Sequence, residues 1–319
     1  VSGDLVLRCE NLCKEYRGSL LRRPHLALDN LNLEIHRGEV IGYIGPNGAG
    51  KTTTIKILMG LHRPTSGTAE ILGRPHTSVD GRARIGYLPE RPYFYDYLTA
   101  EEFLHFYGSL YGMSAPARRE KIDRLLPLVQ MEHVRKVPLR KFSKGMLQRV
   151  GLAQALINDP DLVILDEPSS GLDPMGRMLI RDIIAELKRR GVTILFSSHI
   201  LSDVEDICDR VAILVGGKLV KLAAVRDLVH EGVRAIEVTL EKLSEEDLAG
   251  LGAGAPMLQN LGRATFSLAS QEEANALVAE ALRRGGHVVS VVPRRESLES
   301  LFIEEFTAET ATVSGEIGA

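Results

Sequence analysis

Short apolar runs separated by helix-length stretches organise the first two thirds of the chain. Residues 40–44, 162–165, 193–196 and 211–215 are continuously apolar or β-branched and too short for helices, which predicts strands buried on both faces. Helical patterns occupy 52–60, 176–190 and 201–208. Strands alternating with helices predict a mostly parallel sheet, an α/β fold. From Pro92 to Lys141 the strand pattern lapses. Two helical patterns there, 100–111 and 116–129, lead through a basic connection to Phe142 and read as a helical subdomain, about 92–158, inserted into the α/β core. Beyond Ala223 the rhythm changes again. Residues 234–240, 244–251, 256–262, 264–268, 272–284 and 288–292 read as β-α-β-β-α-β with a closing helix over 297–307, the order of a split βαβ, ferredoxin-like unit. The expected domains are therefore 1–223, a small α+β domain at 224–308, and a frayed tail at 309–319.

The bulk properties narrow the class without choosing within it. A chain of 319 residues has room for about two domains of roughly 150 residues. With 44% hydrophobic and 25% charged residues, it is neither disordered nor fibrous. A formal charge of −3 supplies no basic field, so nucleic acid is not an expected partner. Cys9, Cys13 and Cys208 are too few and too odd for a disulfide framework, and no paired Cys/His set accompanies them for zinc; reduced thiols are expected. No run approaches the roughly 18–20 apolar residues that a membrane span requires. The first residues, Val1 to Asp4, lack the basic-then-apolar pattern of a leader.

Three segments carry chemistry. Gly45-Pro46-Asn47-Gly48-Ala49-Gly50-Lys51-Thr52 fits G-x-x-x-x-G-K-[ST] and stands between a predicted strand and a predicted helix. Its glycines let backbone N–H groups curl around phosphate oxygens at the positive end of that helix. Lys51 would neutralise the β- and γ-phosphates, and the Thr52 hydroxyl would join a Mg²⁺ shell. Asp161 to Glu167 is an apolar strand ending in two carboxylates whose side chains point oppositely, so their tasks should differ. Asp166 is expected to serve Mg²⁺ and Glu167 to polarise the attacking water as general base. Ser197-Ser198-His199 ends another buried strand, where His199 would contact the γ-phosphate and hold Glu167 and the water in line.

Together these residues resemble the nucleotide-binding domain of ATP-binding cassette (ABC) proteins over Leu5 to about Ala223. The telling segment is Phe142-Ser143-Lys144-Gly145-Met146-Leu147-Gln148-Arg149, which resembles that family's signature. Ser170-Gly171-Leu172-Asp173 resembles its D-loop, with Asp173 as the carboxylate. The resemblance implies ATP and Mg²⁺ as cofactors and an ATPase that dimerises head to tail. Each ATP would sit between one chain's phosphate loop (Gly45, Asn47, Gly48, Ala49, Gly50, Lys51, Thr52, Thr53) and the other chain's Ser143, Lys144, Gly145 and Met146. Tyr16 matches the aromatic that stacks on adenine. Two departures stand out: Lys144 and Met146 replace Gly and Gln of the common signature, and Glu90 takes the place of a Mg²⁺-loop Gln. Both look like the branch that serves ABC-2 type exporters, including drug- and antibiotic-resistance pumps.

Such a subunit would energise a separate transmembrane permease from the cytoplasmic face of the membrane. Half of the Phe and Tyr residues cluster between Tyr93 and Tyr111. Phe103, Phe106 and Tyr107, at helical spacing, are expected in the core, and Tyr93, Phe94, Tyr95 and Tyr97, beside Glu90, are expected to anchor the permease. The alternative is an ABC ATPase acting on ribosomes or nucleic acid, although such proteins typically pair two cassettes in one chain. The insertion 17–25, with Arg22 and Arg23, is expected to be a solvated basic loop.

Overall fold

A computed structural model describes residues 5–17, 24–228, 233–251, 256–260, 262–295 and 298. The chain divides into two compact units, the first running to Val225 and the second from Arg226 to Glu304.

Two sheets build the first unit. Strands β1 (Leu5–Tyr16) and β2 (His25–His36) pair antiparallel. β3 (Val40–Ile44) opens the second sheet and leads through a glycine-rich turn into α1 (Lys51–Leu58). The chain then returns to the first sheet as β4 (Ser66–Ile71) and β5 (Arg74–Pro75), completing the order β2-β1-β4-β5. After the short α2 (Val79–Arg82) comes β6 (Ile85–Leu88) at the edge of the second sheet.

The helical segment follows: α3 (Ala100–Leu110), α4 (Ala115–Leu128) and, past two single 3-10 turns, α5 (Lys144–Ala155). Each of these helices is started by a hydroxyl. Thr99 and Glu102 form a reciprocal capping box, Ser114 caps α4 and Ser143 caps α5. Arg135 ties the segment together, reaching Glu101 of α3 at 2.7 Å, Asp123 of α4 at 2.9 Å and Glu132 at 2.9 Å.

The remaining strands of the second sheet are β7 (Leu162–Asp166), β8 (Thr193–Ser198), β9 (Arg210–Val215) and β10 (Lys218–Ala224), interleaved with α6 (Pro174–Arg189) and α7 (Leu201–Ile207). The sheet order is β10-β9-β3-β8-β7-β6, parallel except for the β10 edge. All residues of β3, β7 and β8 are buried, as continuous apolar strands covered on both faces should be. One core joins both sheets and α1: Leu7, Leu12, Leu28, Leu33 and Ile35 share a cluster with Ile41, Tyr43, Ile55, Leu58, Ile164 and Leu195. Each such side chain contributes about 1.5–3 kcal/mol by leaving water. The Tyr43 hydroxyl donates to Thr54 Oγ1 at 2.9 Å inside this core, fastening β3 to α1 on either side of the turn between them.

The antiparallel sheet is the main departure from the mostly parallel expectation. β1 and β2 mix charged with apolar positions, and bulges break their alternation, with Asn11 and Asn30 at φ 47° and 54°. The aromatic cluster also sorts differently. Phe103 is buried as expected, but Phe106 is 37% exposed, edge-on to Tyr95. Phe94 instead turns inward against Phe103, 5.2 Å between ring centres. Gly151 of α5 lies next to it; its missing Cβ is required by Leu88, whose methyl would lie 2.7 Å away, while the Phe94 ring at 3.5 Å would be in ordinary contact. Tyr93 and Tyr97 are exposed.

The boundary between the units falls within the short α8 (Val225–Leu228). Beyond α8 the second unit comprises β11 (Val233–Glu241), α9 (Glu245–Ala249), β12 (Leu258–Asn260), β13 (Arg263–Leu268), α10 (Gln271–Arg283) and β14 (His287–Arg295). Its sheet order is β12-β13-β11-β14, with every pairing antiparallel. Ile236, Val238, Leu240, Phe266 and Leu277 form its core. The basic loop with Arg22 and Arg23, the tail and, apart from Leu298, the closing helix expected over 297–307 lie outside the described residues.

Candidate functional site

The parallel strands of the second sheet run the same way, so the segments leaving β3, β6, β7 and β8 emerge at one edge. Open α/β sheets bind ligands at that edge. A cleft of about 360 Å³ lies there, within the range of small-molecule sites. Its lining includes Tyr16, Asn47, Gly48, Ala49, Gly50, Lys51, Thr52, Thr53, Glu90, Glu167 and His199.

The loop between β3 and α1 needs its glycines for two reasons. Gly48 and Gly50 have φ of 85° and 107°, the left-handed region that costs other residues about 1–2 kcal/mol. At Gly45 the constraint is space, since a Cβ would lie 2.4 Å from the Leu214 carbonyl oxygen. The ammonium of Lys51, almost wholly buried, donates to the Gly45 carbonyl at 2.6 Å and lies 3.7 Å from a Glu167 carboxylate oxygen.

The two acids at the end of β7 have separate surroundings. Asp166 is 1% exposed and accepts from Ser197 Oγ at 2.8 Å. Burial raises its carboxyl above the ordinary aspartate value, and the charges of Glu167 and Glu90 push the same way. The Ser197 and Thr52 hydroxyls oppose the rise. Glu167 sits at φ 52°, an uncommon conformation for a non-glycine residue. Its N–H donates to Ser197 Oγ at 2.9 Å, and its carboxylate lies 2.5 Å from His199 Nδ1. Ser197 thus bridges the two acids with one hydroxyl, a role that no sequence motif announced.

Among the described residues no three His, Cys, Asp or Glu side chains converge as a ready-made metal cage. Mg²⁺ needs none, because it binds through one or two carboxylates, retained waters and substrate phosphates. Thr52 and Glu90 line the cleft, while Asp166 does not border it but is hydrogen-bonded to Thr52 behind it. Its carboxyl, raised by burial and then by the Glu167 and Glu90 charges, completes a set that fits such an ion.

The signature-like segment lies elsewhere. Ser143, Lys144 and Gly145 line a second cavity with Arg149, Gly171, Leu172 and Asp173, and none of the phosphate-loop residues borders it. Ser143 Oγ accepts from the Met146 N–H at 3.3 Å as the cap of α5. Asp173 caps α6 through the Gly176 N–H at 2.9 Å. The Lys144 side chain lies across Gly171, where a Cβ would fall 2.2 Å from its nitrogen. Tyr16, at the end of β1, joins the first cleft along with His25 and Ala27, which no motif singled out.

A glycine loop between a parallel strand and a helix, with two carboxylates and a histidine on neighbouring strand ends, defines a P-loop nucleoside triphosphatase. The profile of the family described as ABC transporter matches residues 28–170. An ABC transporter ATP-binding protein of Synechocystis is 41% identical over 312 residues, 97% of this chain and 87% of its own length. The bacitracin transport ATP-binding protein BcrA of Bacillus licheniformis is 44% identical over 198 residues, 61% of this chain and 64% of its own. Among solved structures, the dimeric ATP-binding cassette MJ0796, in a post-hydrolysis state bound to ADP and Pi, superposes with a TM-score of 0.63 at 26% identity, covering 69% of this chain and 99% of that one. The chain belongs to the ABC transporter ATP-binding protein family. It is the ATP-binding and ATP-hydrolysing subunit of such a transporter, and the alternative of a ribosome-directed ATPase finds no support.

Proposed function

We propose that this subunit powers an exporter through a separate transmembrane permease, held at the cytoplasmic face of the membrane by that partner. Two chains would pair head to tail around two ATP molecules. The observation that carries this reading is the division of the site: Lys51, Glu167 and His199 share one cleft, while Ser143 and Gly145 face another. A second copy of the chain would bring its α5 N-terminus, with Ser143, Lys144, Gly145 and Met146, to the γ-phosphate held by the first, with Asp173 beside it.

Within one chain, backbone N–H groups from Asn47 to Thr53 would hold the phosphates, with Lys51 neutralising their charge. Thr52, Asp166 and Glu90 would hold Mg²⁺, which when bound draws charge from the β- and γ-phosphate oxygens. Glu167 would take the proton of the attacking water, and His199, already 2.5 Å from its carboxylate, would keep Glu167 aimed. Tyr16 would stack on adenine. The exposed Tyr93 and Tyr97, with Glu90 nearby, would meet the permease. Export is supported by the Nod factor export ATP-binding protein of Cupriavidus metallidurans, 34% identical over 242 residues, and BcrA, named for bacitracin transport, is consistent with it. For the second unit, the sheet order and antiparallel pairing support the split βαβ reading.

Glu167→Gln should keep ATP binding, lose at least about 100-fold in turnover, and accumulate an ATP-bound dimer on gel filtration. Purified by a tag from detergent-solubilised native membranes with ATP and Mg²⁺, it should bring down a polytopic membrane protein in stoichiometric amount. Full turnover would remove Glu167 as base; recovery only from the soluble fraction, with ribosomes or nucleic acid attached, would remove the transporter assignment.

A further inference from the structure

We propose that His62 is a positioning residue for the nucleobase, fixing the ring of Tyr16 relative to the helix that starts in the phosphate loop. The proposal rests on Tyr16 being the adenine platform. The Tyr16 hydroxyl and His62 Nδ1 lie 2.9 Å apart, and the two rings meet edge to face, 5.8 Å between centres at 74°. A phenol is the stronger donor of the pair, so the hydroxyl donates to a neutral imidazole. Burial, reinforced by Lys56 and Lys14, lowers the His62 pKa below its usual value, which keeps that acceptor neutral.

His62 is itself well anchored. Its N–H and that of Leu61 both donate to the Lys56 carbonyl, at 3.1 and 2.9 Å, so it closes the end of α1. α1 begins at Lys51 and spans eight residues, about 12 Å at 1.5 Å per residue. The end of β1 is laced to the same segment. Lys14 lies 5.2 Å from the Tyr16 ring centre and donates to the Arg63 carbonyl at 2.7 Å, and the Glu15 N–H donates to Thr65 Oγ1 at 3.0 Å. Phosphate loop, α1, His62 and Tyr16 therefore form a continuous frame of fixed length. The stacking ring is held at a set distance from the phosphate seat without His62 lining the cleft. Losing the Tyr16–His62 bond frees the ring and leaves the phosphate loop as it is.

The test measures equilibrium binding of ATP and of inorganic tripolyphosphate, both with Mg²⁺, to the full chain. One hydrogen bond of ordinary strength corresponds to about fivefold in affinity. His62→Ala and Tyr16→Phe should each weaken ATP about fivefold and leave tripolyphosphate unchanged. The double variant should be no weaker than either single one, because both remove the same bond. His62→Asn, which restores an acceptor on Cγ, should recover most of the loss. Wild-type ATP affinity in His62→Ala, equal losses for both ligands, or additive losses in the double variant would overturn the proposal. Tyr16→Ala separates the two layers. An unchanged ratio of ATP to tripolyphosphate affinity in that variant removes the platform itself. A lowered ratio in Tyr16→Ala, without one in His62→Ala, removes only the role of His62.

Discussion

Alanine at Gly48 and alanine at Gly50 place the same methyl group on two residues of one loop, both in the left-handed region at φ 85° and 107°. The backbone strain, about 1–2 kcal/mol, is therefore common to both substitutions. Their surroundings differ. A Cβ at Gly48 meets no protein atom within 4 Å, whereas at Gly50 it would lie 2.6 Å from the Ala27 carbonyl oxygen and 2.7 Å from a Leu28 methyl. Ala27 belongs to β2, so its carbonyl cannot retreat without disturbing the antiparallel sheet. Overpacking of this kind costs about 1–3 kcal/mol beyond the strain. Taking about 2 kcal/mol, and about 2–4 °C per kcal/mol for a unit of this size, Gly50→Ala should melt about 4–8 °C below Gly48→Ala without nucleotide. ATP should rank them differently. The methyl at residue 48 faces the cleft, where losing one charge-assisted phosphate contact of about 2 kcal/mol weakens binding about 30-fold. Differential scanning calorimetry and nucleotide titration read the two effects separately. Equal melting temperatures would refute the close approach to Ala27, and wild-type ATP affinity in Gly48→Ala would refute the phosphate seat.

Lys51→Ala should bind ATP at least about tenfold more weakly, since it removes the charged donor from the loop, and an unchanged titration would refute that assignment. Native thiol labelling followed by mass spectrometry should modify Cys13 first. Cys9 and Cys208 are buried, and burial raises both thiols, Cys9 to about 12, so little thiolate exists at neutral pH or at pH 9. Three fast labels would contradict the packing of β1 and α7.

The cleft was legible in sequence because its parts are contiguous: a loop between strand and helix, a strand ending in two acids, a strand ending in histidine. Each motif declares its own chemistry. What sequence did not reveal depends on contacts between distant segments. The antiparallel sheet hides behind bulges at Asn11 and Asn30, which shift the alternation that would have marked β1 and β2. Helical spacing placed Phe106 inside, yet the ring emerges at the surface, and Phe94 packs instead against the buried Phe103. The Tyr16–His62 pair spans 46 residues and follows no period. Ser197 reads as one more polar residue until β8 is placed beside β7.

That placement carries the chemistry further than any single motif. β8 lies between β3 and β7 in the sheet although it follows both in sequence, so the phosphate loop, the two acids and His199 leave three adjacent strands. The hydrogen-bond ladder then fixes their spacing: Asp166 pairs with Ser197, and Ser197 pairs with Tyr43. The Ser197 hydroxyl converts that register into electrostatics, donating to the acid proposed for the metal and accepting from the backbone of the acid proposed as base. The signature-like helix start shares none of these strands and faces its own cavity. On the proposal above, hydrolysis is therefore conditional on pairing. The sheet prepares the half of the site that binds phosphate and activates water, and it leaves to association the half that closes over the γ-phosphate.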